Sequence, residues 1–179
     1  MIIFETEFGR LVDQIPPIVD AKGNEFPVKY NWGNRDDLFA YLKIAKTSAF
    51  PLIWVENTPD IHNLRENSVF RNARINVISI AQVPAEFNPY QYQYDFKEIL
   101  QPIADKVIDA IKQSGIAMLN MADVKTSRVT KFSLQEIDKS LAYICNAIVM
   151  DFDVKITKIR SGSQSGGQTD ESCLNNINF

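Results

Sequence analysis

Apolar residues recur at steps of three and four between Tyr94 and Ser114, which is the clearest periodic pattern in the chain. This spacing predicts an amphipathic helix over residues 94–114. Its apolar stripe comprises Phe96, Ile99, Leu100, Ile103, Val107, Ala110 and Ile111. Pro102 lies within the segment, and proline is comfortable only in the first turn of a helix. We therefore expect either a regular helix that begins near Gln101 or a kink in the turn before it.

Two more helices are predicted closer to the N-terminus. Apolar residues from Phe4 to Ile15 form a helical stripe within residues 2–15, and Pro16 and Pro17 end it. Asn34 is a good helix cap, and acidic residues follow in the first turn, where the helix dipole favours them. The second helix is expected at about residues 35–47.

The remaining apolar patterns predict strands. Residues 26–32 indicate a hairpin or a short edge strand, residues 50–55 a buried strand, residues 71–82 and 141–156 long strands, and residues 116–132 a weak one. In the segment 71–82 the alternation shifts at Val77 and Ile78, which indicates burial on both faces or a bulge. Residues 56–69 are polar and are predicted to loop out. Residues 83–94 are predicted to be a loop that carries Tyr90, Tyr92 and Tyr94.

This order of elements predicts an α+β fold, with a mainly antiparallel sheet on which an N-terminal helix and the central amphipathic helix pack. Residues 1–157 are expected to form a single domain. From Ser161 the composition changes to Ser, Gly, Gln and Asn, so residues 158–179 are predicted to be a flexible C-terminal arm. Its glycines lack the lysine and the strand-to-helix setting of a phosphate loop. Leu174, Ile177 and Phe179 provide apolar groups that can dock.

Composition narrows the classes of function. The formal charge of −3 over 179 residues argues against general attraction to nucleic acid. Two cysteines are too few for a disulfide framework or an ordinary zinc site, which favours a reducing compartment. The first ten residues have no basic region and include Glu5, and no apolar run approaches the roughly 20 residues that cross a bilayer. We expect a soluble protein that is made in the cytoplasm and has no membrane contact.

Few residues suggest chemistry. His62, the single histidine, stands in a polar segment with no identifiable nucleophile or further metal ligands. Asp151 and Asp153 share one strand face, as an acid–base pair or a cation site would need, but a solvated face beside Lys155 is the commoner arrangement. Cys145 lies in a predicted core strand, where a thiol acts as a small inert hydrophobe. No catalytic residue, cofactor or metal is expected.

Other residues suggest contacts. The three tyrosines of segment 83–94 can pack under their own loop or contact another subunit, because aromatic residues are common at interface hot spots. Arg71 and Arg74 flank Asn72 at the head of a strand, where they are either solvated or paired with acid from a neighbour.

The element order, with the segments FPLIWVEN, RINVISI, FKEILQPIADKVIDAIKQSG and AIVMDFDVKI, resembles the small neck and tail-completion proteins of tailed bacteriophages. The similarity is to the ring-forming tail terminator class in particular, and it extends over residues 1–157. The chain departs from the compact form of that class in the polar segment 56–69 and after Arg160.

The resemblance implies a structural virion protein without catalysis. Such a protein is one subunit of a homo-oligomeric ring that acts as terminator, connector or head–tail joining protein. It is assembled in the bacterial cytoplasm, it contacts other neck and tail proteins, and DNA passes through its ring without specific binding. Candidate interface residues are Arg71, Arg74, Tyr90, Tyr92, Asp151, Asp153, Leu174, Ile177 and Phe179. Two alternatives remain: a small metabolic or regulatory enzyme that uses Asp151, Asp153 and His62, and a monomeric adaptor that binds one partner through the tyrosine segment.

Overall fold

The computed structural model of the chain describes residues 4–58, 61–63, 68–80, 89–114, 125–133, 139 and 144–157. The predicted arm, with Leu174, Ile177 and Phe179, lies outside the described residues. The side chains of His62, Arg71 and Tyr92 are likewise outside the description, although the backbone of each is included.

Groups of strands are interspersed with helices along the described chain. The helices are α1 (Phe4–Val12), α2 (Arg35–Ala45), α3 (Pro89–Tyr94) and α4 (Gln101–Ser114), with a 3-10 turn at Lys46–Ala49 and a π-helical stretch at Asp95–Leu100. The strands are β1 (Ile18–Val19), β2 (Glu25–Phe26), β3 (Lys29–Gly33), β4 (Leu52–Glu56), β5 (Ile61–Asn63), β6 (Ser68–Ile80), β7 (Lys125–Ser133) and β8 (Ile144–Thr157).

The central sheet has the strand order β3-β4-β6-β8-β7, with β5 paired alongside β6. Strands β3 and β4 are parallel, and α2 connects them, whereas the other pairs in this sheet are antiparallel. The longest ladder joins β6 to β8, from Ser68 opposite Thr157 to Ile80 opposite Cys145. The predicted α+β fold with a mainly antiparallel sheet is confirmed.

Both faces of the sheet are buried around β4, β6 and the first half of β8. Helices α1 and α4 and the π-helical stretch pack on one face, against side chains that include Ile75, Val77 and Met150. Helix α2 packs on the other face, against Leu52, Ile78 and neighbouring residues. Burial on both faces explains the shift in the apolar pattern of β6. The ladder of β6 with β8 runs without a bulge, and the irregularity lies instead in β7, between Thr130 and Phe132.

The structure of the central helix shows how Pro102 is accommodated. Helix α4 begins at Gln101, as one of the two predictions had it, and Pro102 occupies its first turn. The N–H of Gln101 donates to the carbonyl of Phe96, five residues earlier, so the preceding turn is wide. A wide turn moves the backbone away from the proline ring, which in a regular helix would clash with the carbonyl four residues before it.

Two segments predicted to be loops contain regular structure. The polar segment 56–69 includes β5 and the start of β6, which form a hairpin ladder beyond the core. The tyrosine segment ends in helix α3 rather than in a loop, and Pro89 is its first residue, a position where a missing N–H is harmless. Tyrosines spaced by two residues have no helical period, so the pattern obscured this helix.

Tyr30 of β3 holds helix α1 in place through a hydrogen bond and close ring contacts. The Tyr30 hydroxyl donates to the carbonyl oxygen of Glu5 at 2.6 Å. Gly9 permits the contact, because a Cβ atom there would lie 2.7 Å from Cε1 of Tyr30. Phe8 adds an edge-on contact to the same ring, with ring centroids 5.7 Å apart.

The hairpin of β1 and β2 is tied to the end of α3 through Asp20. One carboxylate oxygen of Asp20 accepts the backbone N–H groups of Lys22 and Asn24, each at 2.8 Å. The Tyr94 hydroxyl donates to the other oxygen. This hydrogen bond holds the pKa of Asp20 well below its usual range, while burial and the same bond raise the pKa of Tyr94 to about 12.

Removing the Tyr94 hydroxyl tests this tie. The pKa of folded Asp20 lies below its unfolded value of about 3.9, so its contribution to stability is present above about pH 4 and is lost as pH falls through the lowered pKa. We expect Tyr94→Phe to lower the free energy of unfolding at neutral pH and to flatten its fall in acid. Urea unfolding across pH measures both, with Tyr90→Phe, at a residue 84% exposed, as the control. Acid profiles that run parallel for Tyr94→Phe and the unsubstituted protein would contradict the prediction.

Candidate functional site at the polar face and edge of the sheet

Helix α2 covers only part of its face of the sheet, and the remainder is polar. We call this remainder the polar face, which comprises Glu56 of β4, Asn72, Arg74 and Asn76 of β6, and Asp151 and Asp153 of β8. Alternate residues of a strand point to the same side. The polar positions therefore share one face, and Ile75 and Val77 face the core on the other.

Arg74 joins the three central strands of the polar face. Its Nε lies 2.6 Å from one oxygen of Asp151, and its Nη2 donates to the other at 3.4 Å. Its Nη1 lies 3.8 Å from Glu56. The hydrogen bond and the negative charge of Asp151 raise the pKa of Arg74. Of the two alternatives for Arg74, solvation or pairing with acid from a neighbour, neither describes it fully, because its acidic partner belongs to the same chain.

Two asparagines extend this network. The amide nitrogen of Asn76 donates to Glu56 at 3.0 Å and to the carbonyl of Trp54 at 3.3 Å. Asn76 is fully buried, and its Oδ1 is one of two buried side-chain atoms without a hydrogen-bond partner in the described structure. Asn72 donates to Asp153 at 3.3 Å. Both aspartates nominated from the sequence are therefore engaged within the sheet.

The structure does not bring His62 to these aspartates. Its backbone pairs with Val69, five residues along β6 from Arg74, the partner of Asp151. At about 3.3 Å per residue that separation is roughly 17 Å along the strand for Asp151, and it is roughly 10 Å for Asp153, which lies opposite Asn72. Among the described residues, no three His, Cys, Asp or Glu side chains are placed to hold a metal ion. Cys145 is buried in the core, as predicted.

The other nominated residues are spread over the fold. Arg71 pairs with Val154 in the backbone ladder. Tyr90 is among the most exposed large side chains, at 84%, whereas Tyr94 is half-buried against Asp20. The backbone of Tyr92 lies in α3. Arg74 and Asp151 are thus in direct contact, and the tyrosines lie in a separate region, on α3.

A cleft of about 450 Å³ adjoins the polar face at the start of α2. It is lined by Asn34, Arg35, Leu38, Phe39, Trp54, Glu56 and Asn57. Asn34 and Asp37 already form a reciprocal capping box there, and Asn34 accepts the N–H groups of Asp36 and Asp37. An anion would find these donors occupied.

Sequence reasoning missed a buried polar row beneath the π-helical stretch. Asp95 is 1% exposed, and its Oδ2 accepts a hydrogen bond from Asn146 at 2.9 Å. Ser79, also buried, lies opposite Asn146 in the ladder. The sequence held one signal for this row: Asn146 is the single asparagine in the apolar run from Ile144 to Met150, and a buried polar group requires a hydrogen-bond partner.

Strand β7 forms the far edge of the sheet. Among the described strands it pairs with β8 and with no other. Side chains from Lys125 to Arg128 are all exposed, and Val129 is half-buried. Arg128 lies over the ring of Phe96, 5.7 Å from its centroid.

In the described parts of the chain, no helix has the length and apolar character needed to span a membrane.

The Arg74–Asp151 pair can be tested by a double-mutant cycle with Arg74→Gln and Asp151→Asn. Arg74 is 48% exposed and Asp151 28%, so water screens the pair. We expect a coupling energy of about 0.5–1 kcal/mol at low salt that falls toward zero near 1 M salt. The matched control is the looser Lys112–Asp109 pair, 3.8 Å apart, for which we expect almost no coupling. Equal coupling in the two pairs would contradict this prediction.

The two buried asparagines make a second matched comparison. We expect Asn146→Leu to lower the free energy of unfolding by about 1–3 kcal/mol, because it removes a donor from the buried carboxyl of Asp95. Asn76→Leu should cost less, since it also removes a buried oxygen that has no partner. Urea unfolding measures both. A larger loss for Asn76→Leu would be inconsistent with this interpretation.

Comparison with known proteins adds no relative. The sequence matches no family model, and no curated protein matches it significantly. The function is therefore argued from the fold, its polar face and its edges.

Proposed function

We propose that the chain is a structural virion protein of a tailed bacteriophage. In this role it is one subunit of a homo-oligomeric ring in the neck or tail, as a tail terminator, connector or head–tail joining protein. It carries out no catalysis of its own. Its partners are further copies of itself and other neck or tail proteins, and DNA passes through the ring without specific binding.

The observation that supports a ring most directly is the unequal pair of terminal strands in the central sheet. One end of the sheet is β3, five residues long, parallel to β4 and packed beside α1. The other is β7, nine residues long and antiparallel to β8. Two different surfaces on opposite sides of a subunit favour head-to-tail contacts, and such contacts close into rings when the rotation permits.

The polar face fits a supporting role better than a chemical one. Asp151 is neutralised by Arg74, and Asp153 accepts from Asn72. Networks of this kind fix the register of neighbouring strands. The separation of His62 from both aspartates argues against the enzyme alternative. The adaptor alternative is still supported by Tyr90, which is exposed on helix α3.

The proposal is tested on purified full-length protein by native mass spectrometry and negative-stain imaging, alone and with tail tubes. We expect closed rings of a single stoichiometry, stable to dilution or completed on the tube end. A persistent monomer that binds no virion component would overturn it. The matched control for the enzyme alternative replaces His62, Asp151 and Asp153 together, and we expect assembly and infectivity to survive. A metal ion bound to the purified protein would instead support an enzyme.

A further inference from the structure

Strand β7 carries basic residues along the edge of the sheet, with Lys125 and Arg128, three residues apart, on opposite faces. Lys125 and Arg128 are exposed, Lys131 follows in the same strand, and β7 contains no acidic residue. Among the described strands β8 is its one neighbour, so the outer side of β7 presents backbone N–H and C=O groups. An edge of this kind is a template for a strand of another chain, and cationic side chains give it a preference for an acidic one.

The segment after β8 begins with Lys158 and Arg160, and beyond them its charge changes sign. Residues 161–179 carry two charged side chains, Asp170 and Glu171, and both are acidic. Leu174 and Ile177 follow within six residues of Glu171. A short stretch that combines acidic and apolar residues and lacks proline can extend along a basic edge. The stretch from Thr169 to Ile177 is nine residues long, the length of β7.

The segment begins one strand in from β7 and beyond the Lys125 end of that strand. Lys125, at one end of β7, lies opposite Asp151, and β8 continues from there to Thr157. The segment therefore departs roughly 20 Å beyond the Lys125 end of β7, at about 3.3 Å per residue. The eleven residues from 158 to 168 span up to about 36 Å when extended, so the stretch 169–177 is not restricted to the surface of its own subunit.

We propose that residues 169–177 of one copy add as a strand to the outer edge of β7 in the next copy. This inference rests on the proposed ring function, which it deepens by naming the two surfaces that meet. The partner is a second copy of this chain. Backbone hydrogen bonds supply the pairing, and the acidic residues select the basic edge.

Cysteine cross-linking tests the contact with the protein's own Cys173. One full-length copy carries Cys173→Ser and one added cysteine at position 126, 127, 128 or 129, and the other copy keeps Cys173 and the natural β7; full overlap of residues 169–177 with β7 places Cys173 opposite Val129. A disulfide needs Cα atoms roughly 4.4–6.8 Å apart, and strand neighbours alternate between faces. We therefore expect linked heterodimers at alternate positions, with yields about fivefold above the intervening ones. The control is Glu25→Cys in the same Cys173→Ser copy, at an exposed site on the β1–β2 hairpin.

The possible outcomes distinguish failure of the arm contact from failure of the proposed ring. Rings that form without any link to β7, or with equal links at all four positions, would overturn the arm contact and leave the ring standing. Failure of both rings and links would overturn both proposals. A chain that carries Val129→Cys together with Cys173 and links only within itself would show that the segment covers its own edge, which also overturns the proposal.

Charge variants give an independent readout on the same protein. Asp170→Asn with Glu171→Gln should lower the yield of linked heterodimer about threefold at low salt, and added salt should narrow the difference. The matched control is Asp105→Asn with Asp109→Asn, at two exposed acids on α4, which should leave the yield unchanged. An equal loss for both pairs would point to general charge and would overturn the selection of the basic edge.

Discussion

The ladder between β6 and β8 is the constraint on which the rest of the structure depends. Both strands are central, and around Ile75 and Met150 their side chains are buried against helices on the two faces of the sheet. A slip of one residue would turn every side chain of a strand to the opposite face. Arg74 with Asp151 and Asn72 with Asp153 are formed only in the observed register. Burial of the apolar residues against the helices therefore sets the alignment, and the polar pairs on the other face are consistent with it.

The same ladder accounts for the shape of the central helix. The side-chain amide of Asn146, on β8, donates a hydrogen bond to the carboxyl of Asp95, and Asp95 is the first residue of the π-helical stretch. Pro102 requires an altered turn before α4, and the wide turn supplies it while Phe96 and Leu100 remain buried. Tyr94, one residue earlier, fastens the β1–β2 hairpin through Asp20. One short stretch of helix therefore joins the hairpin, the sheet and the long helix.

The sequence predicted the elements whose pattern is local. The capping residue Asn34, the stripe of α4 and the alternation in β8 each appear as expected, because each depends on neighbours a few residues apart. Helix α3 was missed because its tyrosines have no helical spacing, and β5 because its pairing with β6 was hidden in polar composition.

The site was harder to predict than the fold. That Arg74 meets Asp151 follows from a register between strands 77 residues apart, which no local pattern specifies. The sequence nominated both residues but could not pair them. The buried contact of Asp95 with Asn146 has the same origin, since it spans 51 residues between a helix and a strand.

Paired polar groups and two apolar layers stabilise the centre of the fold, and the proposed assembly places the contact with a partner at the terminal strand β7. Hydrogen exchange on full-length protein, compared between assembled and dissociated states, tests this division most directly. We predict strong amide protection in the centre of β6 and β8 in both states, and, among residues 125–129, protection on assembly of the amides that do not already pair with β8. Protection gained on the polar face or in α3 while β7 stays unchanged would contradict it.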